Sequence, residues 1–397
     1  MVCSRKFYRE AQRSMNINVI KRHKWLLTII LAIVGSRFLM FIVFLLSKEF
    51  LDLSKGFSME MARWDCAWYE GIIREGYYKE PMAHTRMDAA NWAFFPLFSM
   101  IMRGVSLLFP NVHLYILGEW VNTLIFGVAL YAGVKYIFLT RDNEKQALLW
   151  ILVMSFGPLS FYFLILYTEA LFLLLLILCF YYLEKENFLA VGLCGALLSA
   201  SRNIGVMFIF AVLVYCLCCF FQQKEQRFMP YVVSQLARPR LFLGICMIPL
   251  GLFSYMFYLH RLTGDSLAFM RIQRAWGRDI ENPVKVLFSN LKAALAGNVG
   301  ITFILIWCVA AVVLLLYLLS RRHYVEFAIG SVFYWICLSA GIQSMQRYII
   351  GSFVFVLSMT DELLEMRRMN RYIVLGVLFF LELCLVYQWL AMWEYIV

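Results

Sequence analysis

Charge is scarce in this chain. Only 15% of its 397 residues are Asp, Glu, Lys or Arg, while 63% are hydrophobic. Soluble domains carry about 25% charged residues. The shortage excludes an ordinary globular enzyme, a fibrous protein and a disordered one, and leaves a lipid bilayer as the solvent for so much apolar surface. The sequence also lacks internal repeats, a duplicated half and low-complexity tracts, so residues 25–397 read as one integral membrane domain behind a basic segment, 1–24. No disulfide framework is visible. Of eleven cysteines, nine lie inside apolar stretches, Cys3 lies in the basic N-terminal segment, and Cys66 alone falls in a long polar loop. The group Cys216, Cys218 and Cys219 has no nearby histidines and lacks zinc-site spacing, so neither metal nor cofactor is expected. A continuous basic stripe is missing as well. The net charge of +11 comes from short clusters beside apolar runs, which is a membrane-topology pattern and not a nucleic-acid surface.

At about 20 residues per crossing, eleven apolar stretches suit an all-α polytopic protein. The expected spans are 25–46, 113–139, 146–166, 168–183, 188–201, 204–221, 241–260, 300–319, 325–341, 347–360 and 371–392. Residues 1–24 hold seven Lys/Arg against the single acid Glu10, which places the N-terminus in the cytoplasm. The basic loops at 141–145, 222–240, 321–326 and 361–371 then also face inward. Segment 47–92, with eight acids and six bases, becomes a long exoplasmic loop. Stretch 93–109 is only 17 residues long and carries Arg103 and Pro96, so it reads as an interfacial helix opened by Pro96, with a true crossing as the competing reading.

Every unusual polar motif falls on the exoplasmic side of this parse: 63–78, 167–169, 201–203, 273–278 and 346–348. Within the first, Asp65, Trp68, Tyr69, Ile72 and Ile73 recur at helical spacing and share one face. An acid on an apolar–aromatic stripe needs a use or a partner. Asp65 is either a general base, with Trp64 and Trp68 as headgroup anchors, or the cap of a helix. Trp92, Phe94 and Phe95 read as interfacial belt aromatics. Glu169 and Arg202 interrupt apolar runs, either as a functional pair or as a structural one. Glu119 and Glu382 are buried or boundary charges without an evident role. Arg202, Arg274, Arg278 and Arg347 have the guanidinium geometry that grips phosphate, and the Trp276 indole offers a face for a sugar ring. An interfacial basic helix at 270–278 that binds anionic lipid is the alternative there.

Taken in order, Arg63-Trp64-Asp65 with Trp68-Tyr69 and Gly76-Tyr77, Ala93-Phe94-Phe95-Pro96-Leu97, Tyr167-Thr168-Glu169-Ala170, Ser201-Arg202-Asn203, Gln273 with Trp276-Gly277-Arg278, and Gln346-Arg347-Tyr348 resemble the PIG-V family. This is the GPI mannosyltransferase 2 family with its bacterial relatives, within the GT-C class of membrane glycosyltransferases. Trp92 before the second motif looks like the bacterial members, which points to a bacterial cytoplasmic membrane, or to the ER membrane in a eukaryote. Ala170 departs from the Ser common in relatives. The resemblance implies a GT-C-type fold whose first exoplasmic loop carries the catalytic acid, Asp65. It implies a polyprenyl- or dolichyl-phosphate-linked sugar, mannose in eukaryotic relatives, and a glycolipid or glycan acceptor. Arg202, Arg347, Arg274 and Arg278 are then the expected donor-phosphate residues, and Trp64, Trp68, Tyr69, Glu169, Asn203, Gln273 and Trp276 the expected substrate contacts. A multispanning transporter or lipid-linked-sugar flippase is the rival reading, and it predicts broken helices with charges near the midplane. A non-catalytic scaffold subunit is the second rival.

Overall fold

A computed structural model describes residues 19–82, 88–222 and 227–396, without the side chains of residues 19–22 and 236. The basic residues of 1–18, Cys3, and Lys224 and Glu225 of the 222–240 loop lie outside the described residues. Helices account for all regular structure among the described residues, and no strand occurs there. In chain order they are α1 (Val19–Ser47), α2 (Phe57–Met61), α3 (Asp65–Glu75), α4 (Pro96–Leu108), α5 (Leu114–Thr140) and α6 (Glu144–Phe156). Next come α7 (Glu169–Glu184), α8 (Phe188–Ser201), α9 (Phe208–Gln222), α10 (Phe228–Leu236), α11 (Pro239–Met247), α12 (Leu250–Thr263) and α13 (Ala268–Arg271). The last are α14 (Pro283–Leu295), α15 (Val299–Ser320), α16 (Tyr324–Ser339), α17 (Met345–Gly351), α18 (Phe353–Glu365) and α19 (Arg368–Leu390). Short 3-10 turns lie at Asn91–Ala93, Ser160–Phe163, Asn203–Met207, Ile272–Trp276 and Glu394–Ile396.

Among the described residues, six helical stretches are long and apolar enough to cross a membrane: His23–Ser47, Leu114–Thr140, Asn203–Gln222, Pro239–Thr263, Val299–Ser320 and Arg368–Leu390. Their outer faces are greasy at helical spacing. Leu27, Ile30, Leu31, Val34 and Phe38 on α1 are exposed, as are Ile306, Val309, Val313 and Leu316 on α15. Exposed apolar stripes of this size suit lipid and not water. Helix α4 is about 20 Å long, and Pro96 opens it as the sequence leads one to expect.

Several expected spans are not single helices; 241–260, for one, is divided at Ile248-Pro249 between α11 and α12. The stretch 146–166 is helical only to Phe156, because Gly157-Pro158 follows. Proline lacks an N–H and pushes the preceding residue out of the α region. Residues 157–168 then run as a wholly buried, irregular segment that includes Leu159 at φ 67°. Buried backbone must find partners, and two helices supply them. Asn122 of α5 donates to the carbonyls of Ile165 and of Tyr167, the latter at 3.0 Å. Glu382 of α19 accepts from the Ser160 hydroxyl at 2.8 Å and from the N–H groups of Ser160 and Phe161 at 3.3 and 3.1 Å. Glu382 thus acquires a role that sequence reading did not provide. The expected span 347–360 is likewise divided, at Ser352 between α17 and α18.

Glycines bring α8 against α11 and α12. A side chain at Gly244 would strike the carbonyl of Phe188, and one at Gly251 the carbonyl of Ala196. Small residues allow such close helix contact where no water drives association. Helix α8 stops at Ser201 because Arg202 is fully extended, at φ −155° and ψ 143°.

The loops sort to two ends. One end joins Lys24 to Glu144 and Arg141 to Asp361 and Glu326. The other joins Ser58 to Glu119, Met61 to Trp389, Trp92 to Tyr255 and Asp65 to Arg347. This grouping matches the division expected from the charge pattern.

Candidate functional site

The break in the chain at 157–168 delivers Tyr167, Thr168 and Glu169 to the end that carries the 47–92 loop. Helix α3 forms as the spacing predicts, with Cys66, Tyr69, Ile72 and Ile73 buried. Its start is fixed from outside. Trp64 adopts φ 52°, and the Asp65 N–H donates to the Tyr167 hydroxyl at 3.1 Å, while that hydroxyl donates to the Arg63 carbonyl at 3.3 Å. The Asp65 carboxylate makes no capping hydrogen bond, so the cap reading does not hold. Oδ2 instead accepts from Arg347 Nη1 at 2.6 Å.

Arg347 is the hub. Its Nε donates to Glu169, which also accepts from Arg202. The guanidinium lies 4.4 Å over the Tyr167 ring. Arg202 donates through Nε to Thr168 Oγ1 at 3.0 Å, and the Tyr69 hydroxyl stands 3.4 Å from the same oxygen. The expected Glu169–Arg202 pair is therefore present, enlarged by a second arginine from α17. Glu169 is fully buried, which two guanidinium partners make tolerable. The Asp65 side chain keeps 19% exposure, and that exposure opens onto a cavity.

This cavity has a volume of about 240 Å³. Eight of the expected site residues line it: Asp65, Tyr69, Arg202, Asn203, Gln273, Trp276, Arg278 and Arg347. They come from four separate stretches of sequence. Arg278 donates to the Tyr348 hydroxyl at 3.2 Å and to Ser344 Oγ at 2.9 Å, both uncharged. Three arginines thus meet the two carboxylates of Asp65 and Glu169, and Arg278 is the guanidinium without a carboxylate partner among the described residues. The cavity wall carries a surplus of positive charge.

Other expected residues lie elsewhere. Arg274 is largely exposed and pairs with Asp279 at 3.0 Å, so it does not line the cavity. Trp64 packs against the core, and Trp68 stacks on Phe94 with centroids 5.9 Å apart and meets Trp276 edge-on at 5.5 Å. These two indoles are half-buried and pack behind the site, and neither lines the cavity. The belt reading of 92–95 is corrected too. Trp92, Phe94 and Phe95 are buried, the Trp92 indole donates to the Tyr78 carbonyl at 2.6 Å, and Phe94 and Phe95 form cavity wall. Residues 272–276 form a 3-10 turn and not the regular basic helix of the lipid-binding alternative.

Sequence reading missed Tyr167, Thr168, Ser344 and Tyr348 as individual contributors. Tyr167, Thr168 and Tyr348 sit inside motifs already noted, and Ser344 has only its φ of 67° as a signal, which sequence does not display. Burial pushes the Tyr69 phenol well above its ordinary range, with the nearby Arg202 opposing the shift, so Tyr69 acts as a neutral hydroxyl. The Cys66 thiol is raised by burial and by the Asp65 charge, which leaves it an inert core group. Among the described residues no three His, Cys, Asp or Glu side chains gather so as to hold a metal ion.

No protein-family model matches the sequence, and no curated protein matches it. The functional reading therefore rests on the arrangement of residues around the cavity and on the resemblance of the motifs.

Proposed function

We propose that the protein is an inverting glycosyltransferase of the GT-C class, probed most directly at Asp65. In this reading about eleven segments traverse the bilayer, the cavity faces the exoplasm, and the donor is a sugar on a polyprenyl or dolichyl phosphate, with mannose expected from the PIG-V resemblance. The observation that supports it is a semi-exposed carboxylate facing a cavity with surplus arginine charge and an indole wall. The acceptor hydroxyl, from a glycolipid or glycan, attacks the anomeric carbon while Asp65 takes its proton. The bond from that carbon to the carrier phosphate breaks, and the oxygen leaves with the electron pair. Arg278, free of a carboxylate, and Arg202 face the phosphate and stabilise its charge. Arg347 is already committed to Asp65 and Glu169, so it is a positioning residue that aims the base.

The test gives purified protein a panel of radiolabelled polyprenyl-phosphate sugars with native lipid extract. Transfer by wild type and its loss in a folded Asp65→Asn variant is the expected result. Transfer at the wild-type rate by that variant removes Asp65 from the chemistry.

One observation favours a transporter or flippase instead. The chain is broken at 157–168 and at Ser352, and buried Glu169 and Arg347 sit beside those breaks, as in transporters built from discontinuous helices. Movement of a lipid-linked sugar across proteoliposomes, with no transfer from any donor, supports that reading.

A further inference from the structure

A second cavity system lies on the far side of the wall that bounds the candidate site. Tyr255 donates to the Trp92 carbonyl at 2.8 Å, Tyr77 donates to the Phe94 carbonyl at 2.6 Å, and the Phe95 and Tyr255 rings stand 4.8 Å apart. Behind this wall, a groove of about 560 Å³ runs between α4, α8 and α12. Its lining is almost wholly apolar and includes Leu97, Met100, Leu197, Leu250 and Tyr258. No residue lines both this groove and the site cavity.

Arg103 lines the groove, and it also lines an adjoining cleft of about 610 Å³ with Arg74, Asn111 and His113. Among the described residues the only acid in ion-pair contact with this group is Glu70, which holds Arg74 at 2.7 Å. Arg103 is exposed and has no ion-pair partner among the described residues. It is also the one charge on an otherwise apolar helix, α4. An unmatched guanidinium at the join of a polar cleft and a greasy groove has the complement of a lipid with an anionic head.

We infer that Arg103 and this groove hold an anionic phospholipid of the surrounding bilayer, with its phosphate on Arg103 and an acyl chain along the groove that α4 forms with the packed pair α8 and α12. The site is separate from the sugar-transfer reading and stands or falls without it. Charge complementarity selects the head, and the apolar lining selects a chain.

Native mass spectrometry on the full chain in detergent tests this, with phosphatidylglycerol and phosphatidylcholine of matched acyl chains as probes. Wild type retains phosphatidylglycerol in preference to phosphatidylcholine. Arg103→Gln weakens phosphatidylglycerol binding about fivefold, as expected for one interfacial cation, and Arg103→Lys restores most of it. Ser254→Trp, which fills the groove from an exposed position on α12, lowers retention of both lipids. Equal retention of the two lipids by wild type, or undiminished phosphatidylglycerol binding by Arg103→Gln, overturns the inference. Displacement of phosphatidylglycerol by polyprenyl phosphate in wild type but not in Ser254→Trp overturns it as well, by assigning the groove to a carrier lipid.

Discussion

Two buried arginine clusters sit at opposite ends of this molecule, and they differ in what lies next to them. At one end Arg141 meets Asp361 at 3.3 Å and Glu326 at 3.7 Å, while Gln146 and Tyr136 add hydrogen bonds to the same two acids. At the other, Arg347 meets Asp65 and Glu169 in the same two-acid arrangement. The first cluster ties α5, α6, α16 and α18 together and lines none of the three cavities described above. The second opens on a cavity and is joined there by Arg202 and Arg278. The difference lies in the surroundings: Asp65 borders a cavity together with Arg278, which has no carboxylate partner among the described residues, and the Arg141 cluster borders none of these cavities.

Several substitutions break or sharpen this contrast. The largest effect is expected from Asp65→Asn, which should cost about 10²–10⁴-fold in transfer rate with helical content and elution volume unchanged. Asp361→Asn, the matching change at the closed end, should leave specific activity per folded molecule intact. Arg141→Met should then show the structural side of the comparison, since removing one partner of a buried pair costs about 3–5 kcal/mol, read as a fall in melting temperature in detergent. Arg278→Gln should raise the donor KM about tenfold, the loss of one charge-assisted contact to phosphate, with stability close to wild type because its present partners are neutral hydroxyls. The smallest change is diagnostic of orientation alone. Cysteine at exposed Lys79 should react with an impermeant maleimide on intact cells, and cysteine at exposed Asp142 only after permeabilisation. The reverse pattern would put Asp65 on the cytoplasmic side and end the present assignment.

Much of the site was legible as pattern. The i, i+3, i+4 spacing of Asp65, Trp68, Tyr69, Ile72 and Ile73 is a property of neighbours in sequence, and helix α3 follows from it. Charges that interrupt apolar runs at Glu169 and Arg202 had to find partners or remain unpaired in a poor solvent, and they do meet, with Arg347 joining them. What stayed hidden depends on distant partners. The run 146–166 is apolar throughout, so hydropathy sees one span, yet Gly157-Pro158 ends the helix and Asn122 and Glu382 satisfy the backbone that is released. Aromatics 92–95 have the composition of an interfacial belt, and only contact with Tyr78, Trp68 and Tyr255 turns them inward, with Phe94 and Phe95 as cavity wall. Arg274 and Arg278 are chemically alike at four residues' distance, and the turn at Gly277, φ 67°, sends one toward Asp279 and the other toward Tyr348.

The grip of Glu382 on Ser160 has a consequence for biosynthesis. The two residues are 222 positions apart, so a growing chain exposes the kinked segment long before its clasp emerges from the ribosome. During that interval the Ser160 hydroxyl and the Phe161 N–H lack the Glu382 carboxylate, while Asn122, made earlier, is already in place for the carbonyls of Ile165 and Tyr167. The pocket is therefore assembled late in translation, when the helix bearing Glu382 inserts.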